Sequence, residues 1–392
     1  MELFDKCRRF TTARRLMAAG WYMYFEPIES AQEPEVVVNG RRMVMIGSNN
    51  YLGLTTHPKV QEAACQAIKR YGTGCGGSRF LNGNLELHEA VEHKLAQFKR
   101  KEAALLFSTG FQTNLGILST LGGKGDVLIT DRLDHASIVD GCRLAFSKTL
   151  RFRHNDMADL ERILVETGRR GKLVVVDGIF SMEGDIAKLA EIVRLTRKYG
   201  GRVMVDDAHA TGVLGKEGRG SAEHFGLEEE VDLIMGTCSK ALASVGGFVA
   251  GRADVIHYLR HRARSLMFSA SLPASCAATI GAALDVIVSE PERRERLWEN
   301  ARRMKAELTS LGFDTGLSET PIIPVVLGED RLTFEFAKGL REEGIFANPA
   351  VSPAVPKGRG LIRTSYMATH TPVHLDRVLS AFRKVGKRFG VI

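Results

Sequence analysis

The sequence predicts an α/β protein, a mostly parallel β-sheet covered by helices and followed by a smaller α+β domain. Three observations carry this reading. From about Glu102 onward, short apolar runs rich in Val, Ile and Leu alternate with stretches of helical period, as in successive strand–helix–strand units. Residues able to do chemistry stand directly after those runs, at the carboxyl ends where open α/β sheets hold their ligands. After Pro291 the texture changes to long charged helical patterns around one apolar run.

The first 50 residues read as an arm leading into the large domain. It contains a hairpin in VVVNGRRMVMI, turning at Asn39-Gly40, a pair that takes positive φ with little strain. AALLF (103–107), DVLIT (126–130), KLVVVDG (172–178), RVMVDD (202–207), VDLIMG (231–236) and GGFVAG (246–251) read as strands buried on both faces. Between them, Ile186, Leu189, Ile192, Val193 and Leu195 mark one face of a helix running to about Tyr199. Beyond Pro291 come a helix from Glu292 to Leu311, the run PIIPVVL (321–327), a helix through Leu340 and a last helix near Val373–Phe389. The expected division is an arm (1–50), a large domain (51–290) and a small C-terminal domain (291–392), without internal repeats.

The 392 residues are 44% hydrophobic and 26% charged, which excludes collagenous and disordered classes. No stretch reaches the ~20 apolar residues of a spanning helix. Lys and Arg number 54 against 46 Asp and Glu, a net +8 that raises local anion concentration without naming the anion. The clusters Arg169–Lys172, Arg260–Arg264 and Lys384–Arg388 read singly as solvated surface. With 7% aromatic residues and no basic stripe interleaved with them, a nucleic-acid partner is not expected. A CoA-type polyanion or an acidic carrier protein suits the charge. Six scattered cysteines, with no C-x-x-C pair and no His at zinc-finger spacing, predict reduced thiols in a cytoplasmic protein and no metal site. The N-terminus, MELFDKCRRFTTARRLMAAGWYMYF, is amphipathic and basic but lacks the apolar core and cleavage site of a signal peptide. It is able to lie on a membrane surface.

Four strand ends carry candidate chemistry. Lys240, in Thr237-Cys238-Ser239-Lys240, follows VDLIMG among small residues and hydroxyls that can desolvate its amine and make it nucleophilic. Taken alone, such a lysine more often reaches solvent. Asp206-Asp207-Ala208-His209 closes RVMVDD, either as a satisfied polar pair or as the charge partner of a bound heterocycle. A carboxylate facing a pyridinium nitrogen, with a Schiff-base lysine nearby, is what pyridoxal phosphate needs. Ser108-Thr109-Gly110-Phe111 opens a helix whose N–H groups and dipole can hold a phosphate. His135, after DVLIT, can lay an imidazole over a flat ring. By contrast Gly72-Thr73-Gly74-Cys75-Gly76-Gly77, although it satisfies G-x-G-x-x-G, follows a helical pattern instead of a strand and is no dinucleotide fingerprint.

These residues carry a family resemblance. SNNYLGL (48–54), GSRFLNGN (77–84), STGFQTN (108–114), DHASIVDG (134–141), DGIFSMEGD (177–185), VDDAHATGVLG (205–215), TCSKALASVGG (237–247) and LIRTSYMATHT (361–371) resemble, in order, the motifs of the α-oxoamine synthases. These are pyridoxal-phosphate enzymes of fold type I that join an amino acid to an acyl thioester with loss of carbon dioxide. The resemblance implies a large domain with a seven-stranded, mostly parallel sheet, and a homodimer with its active sites at the subunit interface. It implies Lys240 as the cofactor's Schiff-base lysine, Asp206 at the pyridinium nitrogen, His209 at the phenolic oxygen and His135 stacked on the ring. Lys240, Asp206 and His135 are the catalytic set. The Gly110 and Phe111 amides with the Thr237 and Ser239 hydroxyls would hold the phosphate, and Ser181 belongs to the same site. Arg363 would grip the substrate carboxylate, with Asn50 and Tyr51 also at the substrate. One position departs from the pattern: many relatives carry after Phe-Ser a Thr donated to the neighbouring subunit's phosphate, where this chain has Ala270, with Ser269 or Ser271 as substitutes.

Together with HNDMADLE (154–161), these motifs look most like the bacterial serine palmitoyltransferase branch. That implies condensation of L-serine with a long-chain acyl-CoA, or an acyl carrier protein, to a 3-keto long-chain base. The alternatives are a sister synthase using glycine or alanine with another acyl thioester, of the 2-amino-3-ketobutyrate CoA ligase or 8-amino-7-oxononanoate synthase type, and a non-catalytic partner subunit. The last would have lost the lysine or its aspartate, and both are present. A Ser239-Lys240 hydrolytic dyad is set aside, because neighbours on an extended chain point to opposite sides.

Overall fold

The computed structural model describes residues 2–392, and the chain divides into two compact units. One comprises Asn49–Glu299 with Met367–Thr369, and the other Met1–Ser48, Asn300–Tyr366 and His370–Ile392. The expected arm is therefore part of the second unit, and the second boundary falls at residue 299 instead of 290. The reason is pairing: within that unit the hairpin strands β1 (Glu35–Val38) and β2 (Arg41–Met45) extend a sheet made with C-terminal residues. Asn39 and Gly40 turn the hairpin with φ of 49° and 70°, as the dipeptide predicts.

The larger unit is built on seven strands: β3 (Ala103–Phe107), β4 (Val127–Asp131), β5 (Lys148–Phe152), β6 (Lys172–Asp177), β7 (Arg202–Asp206), β8 (Leu233–Thr237) and β9 (Gly247–Gly251). Their order is β3-β9-β8-β7-β6-β4-β5. All neighbours are parallel except β9, which runs antiparallel to both β3 and β8. A parallel return needs a crossover of about a dozen residues or more, and the nine residues 238–246 between β8 and β9 allow only a tight reversal. Lys240 sits in that reversal.

Alternate residues of the strands feed two separate cores. Val127, Ile129, Val174, Val176, Val203 and Val205 pack on one face with the helices Met157–Thr167 and Leu189–Lys198. Leu128, Leu173, Val175, Met204 and Met235 pack on the other with the helices Gly110–Leu121 and Ala136–Leu144. Apolar side chains on both faces are why these strands read as continuous runs. The edge strand β5, KTLRF, is mostly half-exposed and charged, so it lacks that signature and the sequence reading passes over it. The helix expected from Ile186 begins at Leu189, because Ile186 is held in an isolated bridge to Ile179.

In the other unit, β1-β2 is joined in parallel by β11 (Ile345–Phe346). A second, antiparallel sheet has the order β10-β13-β12, where β10 is Ile322–Gly328, β12 Asn348–Ala350 and β13 Gly360–Ser365. The helices Asp330–Glu342 and Pro372–Arg388 contribute the rings at the centre of its core: Phe313 lies 6.0 Å from Phe336 and 5.6 Å from Phe382 between centroids. The N-terminal helices Asp5–Arg9 and Thr12–Ala18 bury no residue. Their chain is tied down at Trp21, which stacks on Phe334 and donates to Glu335 at 2.6 Å. Among the described residues no helix is long and apolar enough to cross a membrane.

Phe382→Ala removes a fully buried ring from this aromatic cluster and is expected to cost about 3–5 kcal/mol. A lowered urea midpoint at unchanged slope is the expected result; an unchanged midpoint would show that the cluster is not the centre of this core.

Candidate active site

A cavity of about 350 Å³ opens in the larger unit at the carboxyl ends of its strands. It is lined by Gly110 and Phe111 after β3, His135 after β4, Ser181 after β6, Asp206 and His209 from the end of β7, and Thr237, Ser239 and Lys240 from the end of β8. Separate loops thus bring together the cofactor residues expected from the sequence.

Asp206 ends β7 with its side chain buried. Asn114 Nδ2 donates to Oδ2 at 2.7 Å and the Ala208 N–H to Oδ1 at 2.9 Å. Burial pushes its pKa up, while the Asn114 hydrogen bond and the charge of Lys240 act in the opposite direction. Asp177 is its register partner on β6 and also faces the cavity. Burial, and then repulsion from Asp206, hold Asp177 well above the usual carboxylate range, so it is the one driven towards the neutral form.

His135 caps the helix Ala136–Leu144, with Nδ1 accepting the Ser137 N–H at 3.2 Å. That acceptor role assigns the ring proton of the neutral form to Nε2. The Ser137 hydroxyl is 2.7 Å from the same Nδ1 and accepts from Asn114 Nδ2 at 2.9 Å. One amide therefore links the carboxylate of Asp206 to the imidazole of His135. Burial lowers the His135 pKa against the pull of Asp206, so the ring is neutral at neutral pH. A neutral, flat imidazole is suited to lie against a heteroaromatic ring.

At the opposite end the helix Gly110–Leu121 starts with Thr109 as N-cap, its hydroxyl accepting from Gln112 N at 3.1 Å. The hydroxyls of Thr237 and Ser239 are 2.9 Å apart beside this terminus. Gly110 is required by space: a Cβ there would lie 2.7 Å from Thr237 Oγ1. A helix N-terminus with two hydroxyls is an anion site. Beside it stand a lysine, a buried carboxylate and two imidazoles. The donor set fits pyridoxal phosphate: the helix terminus with the two hydroxyls could hold its phosphate, and Asp206 could pair with its ring nitrogen.

The remaining expectations are placed differently. Tyr51 is buried and its hydroxyl lies 2.7 Å from His209 Nδ1, so it reaches the cavity through that ring. Asn50 closes its own turn, donating to Thr55 Oγ1 at 2.7 Å and accepting from Leu54 N at 3.1 Å. Arg363 is a buried residue of β13 in the other unit, with Nη1 3.4 Å from Ser365 Oγ. Around Ala270, Ser108 donates to the Ala270 carbonyl, Gln112 Nε2 donates to Ser269 Oγ at 3.1 Å, and Ser271 N donates to Gly77 O at 2.9 Å.

Sequence reasoning missed Asn114, Ser137 and Asp177. Asn114 stands one helical turn after Gly110, on the same face, within a stretch read only for its phosphate end. It also missed Lys99. This fully buried ammonium donates to Asp207 Oδ2 at 3.3 Å, Thr211 Oγ1 at 2.8 Å and the Arg219 carbonyl, and so anchors the turn that presents His209. Nothing in its local sequence marks it, since Asp207 is 108 residues away.

Residues 41–382 match the model of the family described as aminotransferase class I and II. The chain is 52% identical to the serine palmitoyltransferase of Sphingobacterium spiritivorum, over 99% of this chain and 97% of that protein. It is 47% identical to the 8-amino-7-oxononanoate synthase of Thermoanaerobacter pseudethanolicus, over 96% of each. Among solved structures it is similar to the serine palmitoyltransferase of Sphingomonas wittichii, at 39% identity and a TM-score of 0.97 with full coverage of both chains. It is also similar to that of S. paucimobilis with a bound pyridoxal phosphate–myriocin aldimine, at 38% identity and 0.96 over the full length of both.

Two substitutions test the site. Gly110→Ala drives a methyl against Thr237, and cofactor affinity of the apo-protein, read by absorbance titration, is expected to fall at least about tenfold; unchanged affinity would remove the helix terminus from the site. Lys99→Met leaves Asp207 buried without its cation and is expected to cost about 3–5 kcal/mol, with part of the loss restored by adding Asp207→Asn. Equal destabilisation with and without the second change would contradict the pairing.

Proposed function

We propose, for a chain that belongs to the class I and II aminotransferase family and, as its relatives do, to the α-oxoamine synthases, that it condenses L-serine with a long-chain acyl-CoA. The product is a 3-keto long-chain base, the first intermediate of sphingolipid synthesis, released with carbon dioxide and free thiol. The single observation that carries the chemistry is the cavity that gathers Lys240, Asp206 and His135 opposite a helix N-terminus. The choice of serine and a long acyl chain is supported by similarity to serine palmitoyltransferases over the full length of the chain. Pyridoxal phosphate, bound there, supplies an electron sink for the carbanion formed at the amino acid Cα.

This chain's residues supply the rest. The Lys240 amine takes the Cα proton and later returns one. Asp206, fixed by Asn114 and the Ala208 amide, holds a proton at the ring nitrogen through its carboxylate. His209, steadied by Tyr51, donates toward the phenolic oxygen. His135 presents its neutral face to the ring, and its Nε2–H is available to the substrate carboxylate or the thioester carbonyl. The Gly110 and Phe111 amides with the Thr237 and Ser239 hydroxyls bind at the phosphate end, and Ser181 belongs to the same site. Arg363 grips the carboxylate of serine, with Asn50 shaping the substrate loop. The working form is a homodimer, with Ser269 or Ser271 replacing the Thr lost at Ala270. The site of action is the cytoplasm. Exposed Leu3, Phe4, Phe10 and Met17, interspersed with Arg8, Arg9, Arg14 and Arg15, support peripheral contact with the inner membrane face.

A second reading keeps the mechanism and changes the substrates. Similarity at 47% identity to an 8-amino-7-oxononanoate synthase favours a sister synthase acting on alanine, or on glycine, with another acyl thioester.

Thiol release by the cofactor-loaded protein, with L-serine, glycine and L-alanine each paired against short-, medium- and long-chain acyl-CoA, separates the readings. Release confined to serine with long chains is expected; release with alanine or glycine and a short or dicarboxylic acyl group would move the chain to a sister branch. Lys240→Ala is expected to abolish the borohydride-sensitive colour and lower turnover by at least about 10³-fold, and normal turnover by that variant would overturn the assignment of the base.

A further inference from the structure

The reaction leaves unused a set of residues behind the cavity: His154 and Asn155 after β5, Asp131 at the end of β4, and Asp185 in the loop after β6. None of them lines the cavity. His154 stands between two buried carboxylates, Nδ1 3.0 Å from Asp131 Oδ1 and Nε2 2.9 Å from Asp185 Oδ2. With both ring nitrogens facing carboxylate oxygens, only the imidazolium donates to both. Asn155 repeats the link: its N–H donates to Asp131 Oδ2 at 2.9 Å and its Nδ2 to Asp185 Oδ2 at 2.9 Å and Ile186 O at 3.2 Å. Asn155 adopts φ of 49°, a conformation that asparagine tolerates better than most residues. The Phe180 ring packs edge-on against His154 at 4.5 Å, next in sequence to Ser181.

The two segments joined in this way are those that present cavity residues. From Asp131 the path runs to His135, because Asp134 accepts the N–H groups of Asp131 and Asp177, and Asp177 accepts the N–H of His135 at 3.0 Å. From Asp185 it runs back through Phe180, whose N–H donates to the Asp185 carbonyl at 3.1 Å, to Ser181. We propose that His154, with Asn155, is a positioning residue of the cofactor site, a cationic clasp that holds the His135 turn and the Ser181 loop at one spacing.

The clasp rests on the cofactor assignment above and not on the choice of serine or acyl donor. The charged groups facing His154 are Asp131 and Asp185; Arg153, on its own segment, turns away to Asp156 at 2.9 Å and Asp159 at 3.6 Å. Burial lowers the His154 pKa, but hydrogen bonds and charge from the two carboxylates outweigh it and raise the value from 6.5 to about 9. A group whose pKa rises on folding contributes fully below its unfolded value and loses that contribution as pH climbs through its folded value. The clasp is therefore closed at neutral pH and opens above about pH 9.

The test is pyridoxal phosphate titration of the apo-protein, without amino acid or acyl donor, so that a wrong substrate reading leaves it intact. His154→Gln and Asp185→Asn are each expected to raise the dissociation constant about tenfold, and the double variant no further than the worse single change. His154→Arg, which keeps a cation between the carboxylates, is expected to restore most of the affinity. The ratio of its dissociation constant to that of the wild type should fall as pH passes about 9, where only the wild type loses its charge, and any titration of Lys240 cancels in that ratio. A folded His154→Gln protein, shown by circular dichroism and thermal midpoint, that binds within twofold of wild type would overturn the proposal. If that variant does not fold, a ratio that stays constant across the same pH range overturns it instead.

Discussion

Burial on both faces of the inner strands of the seven-stranded sheet leaves them no place for a charge except at their tips. Side chains along β4, β6, β7 and β8 pack into one hydrophobic cluster or the other, and an unpaired polar group among them would cost on the order of 1–3 kcal/mol or more. Where the strands end, coverage stops and backbone N–H groups become available as partners. Asp131, Asp177, Asp206 and Thr237 are each the last residue of their strand. The active site is thus the edge at which the packing rule of the sheet is relaxed.

Clustering carboxylates at that edge creates an electrostatic problem, and the surrounding residues answer it. Asp206 is compensated by the Asn114 amide, the Ala208 N–H and the charge of Lys240. Asp207, one residue on, is turned away from the cavity and neutralised by Lys99. Asp131 and Asp185 share His154, while Asp134 accepts two backbone N–H groups and is pushed well up by burial and by its neighbours Asp177 and Asp131. Hydrogen bonds to ionised groups contribute about 1.5–3 kcal/mol each, so two or three of them offset a desolvation cost of several kcal/mol. The outcome is a row of acids held to different degrees: Asp206 is raised by burial but opposed by Asn114 and Lys240, while Asp177 beside it is driven further towards neutrality.

Legibility followed burial. Strands covered on both faces announced themselves as apolar runs, whereas β5, charged and half-exposed at the sheet edge, did not. The chain's first 50 residues read as an arm because partners of their hairpin are about 300 residues away: Val44 pairs with Ile345, and no local signal reports that. In the site, Lys240, Asp206, His209 and His135 were legible together, because complementary groups after four apolar runs are hard to explain as coincidence although each alone has an ordinary reading. Asn114, Ser137 and Lys99 were not, since an asparagine, a serine or a lysine acquires its role only from the atom it faces.

The sequence by itself determined the kind of chemistry: which residues follow the apolar runs, that a helix opens within STGF, and that an aspartate ends one such run and a lysine follows the next. Those features are local, written in residue type and spacing. Only the tertiary structure decided that β9 reverses against β8, that Asn114 joins Asp206 to His135, and that His154 lies between two carboxylates on different loops. Those relations join residues up to 92 positions apart, and the geometry that makes a hydrogen bond or sets a pKa exists only once the packed sheet has brought them within a few ångströms.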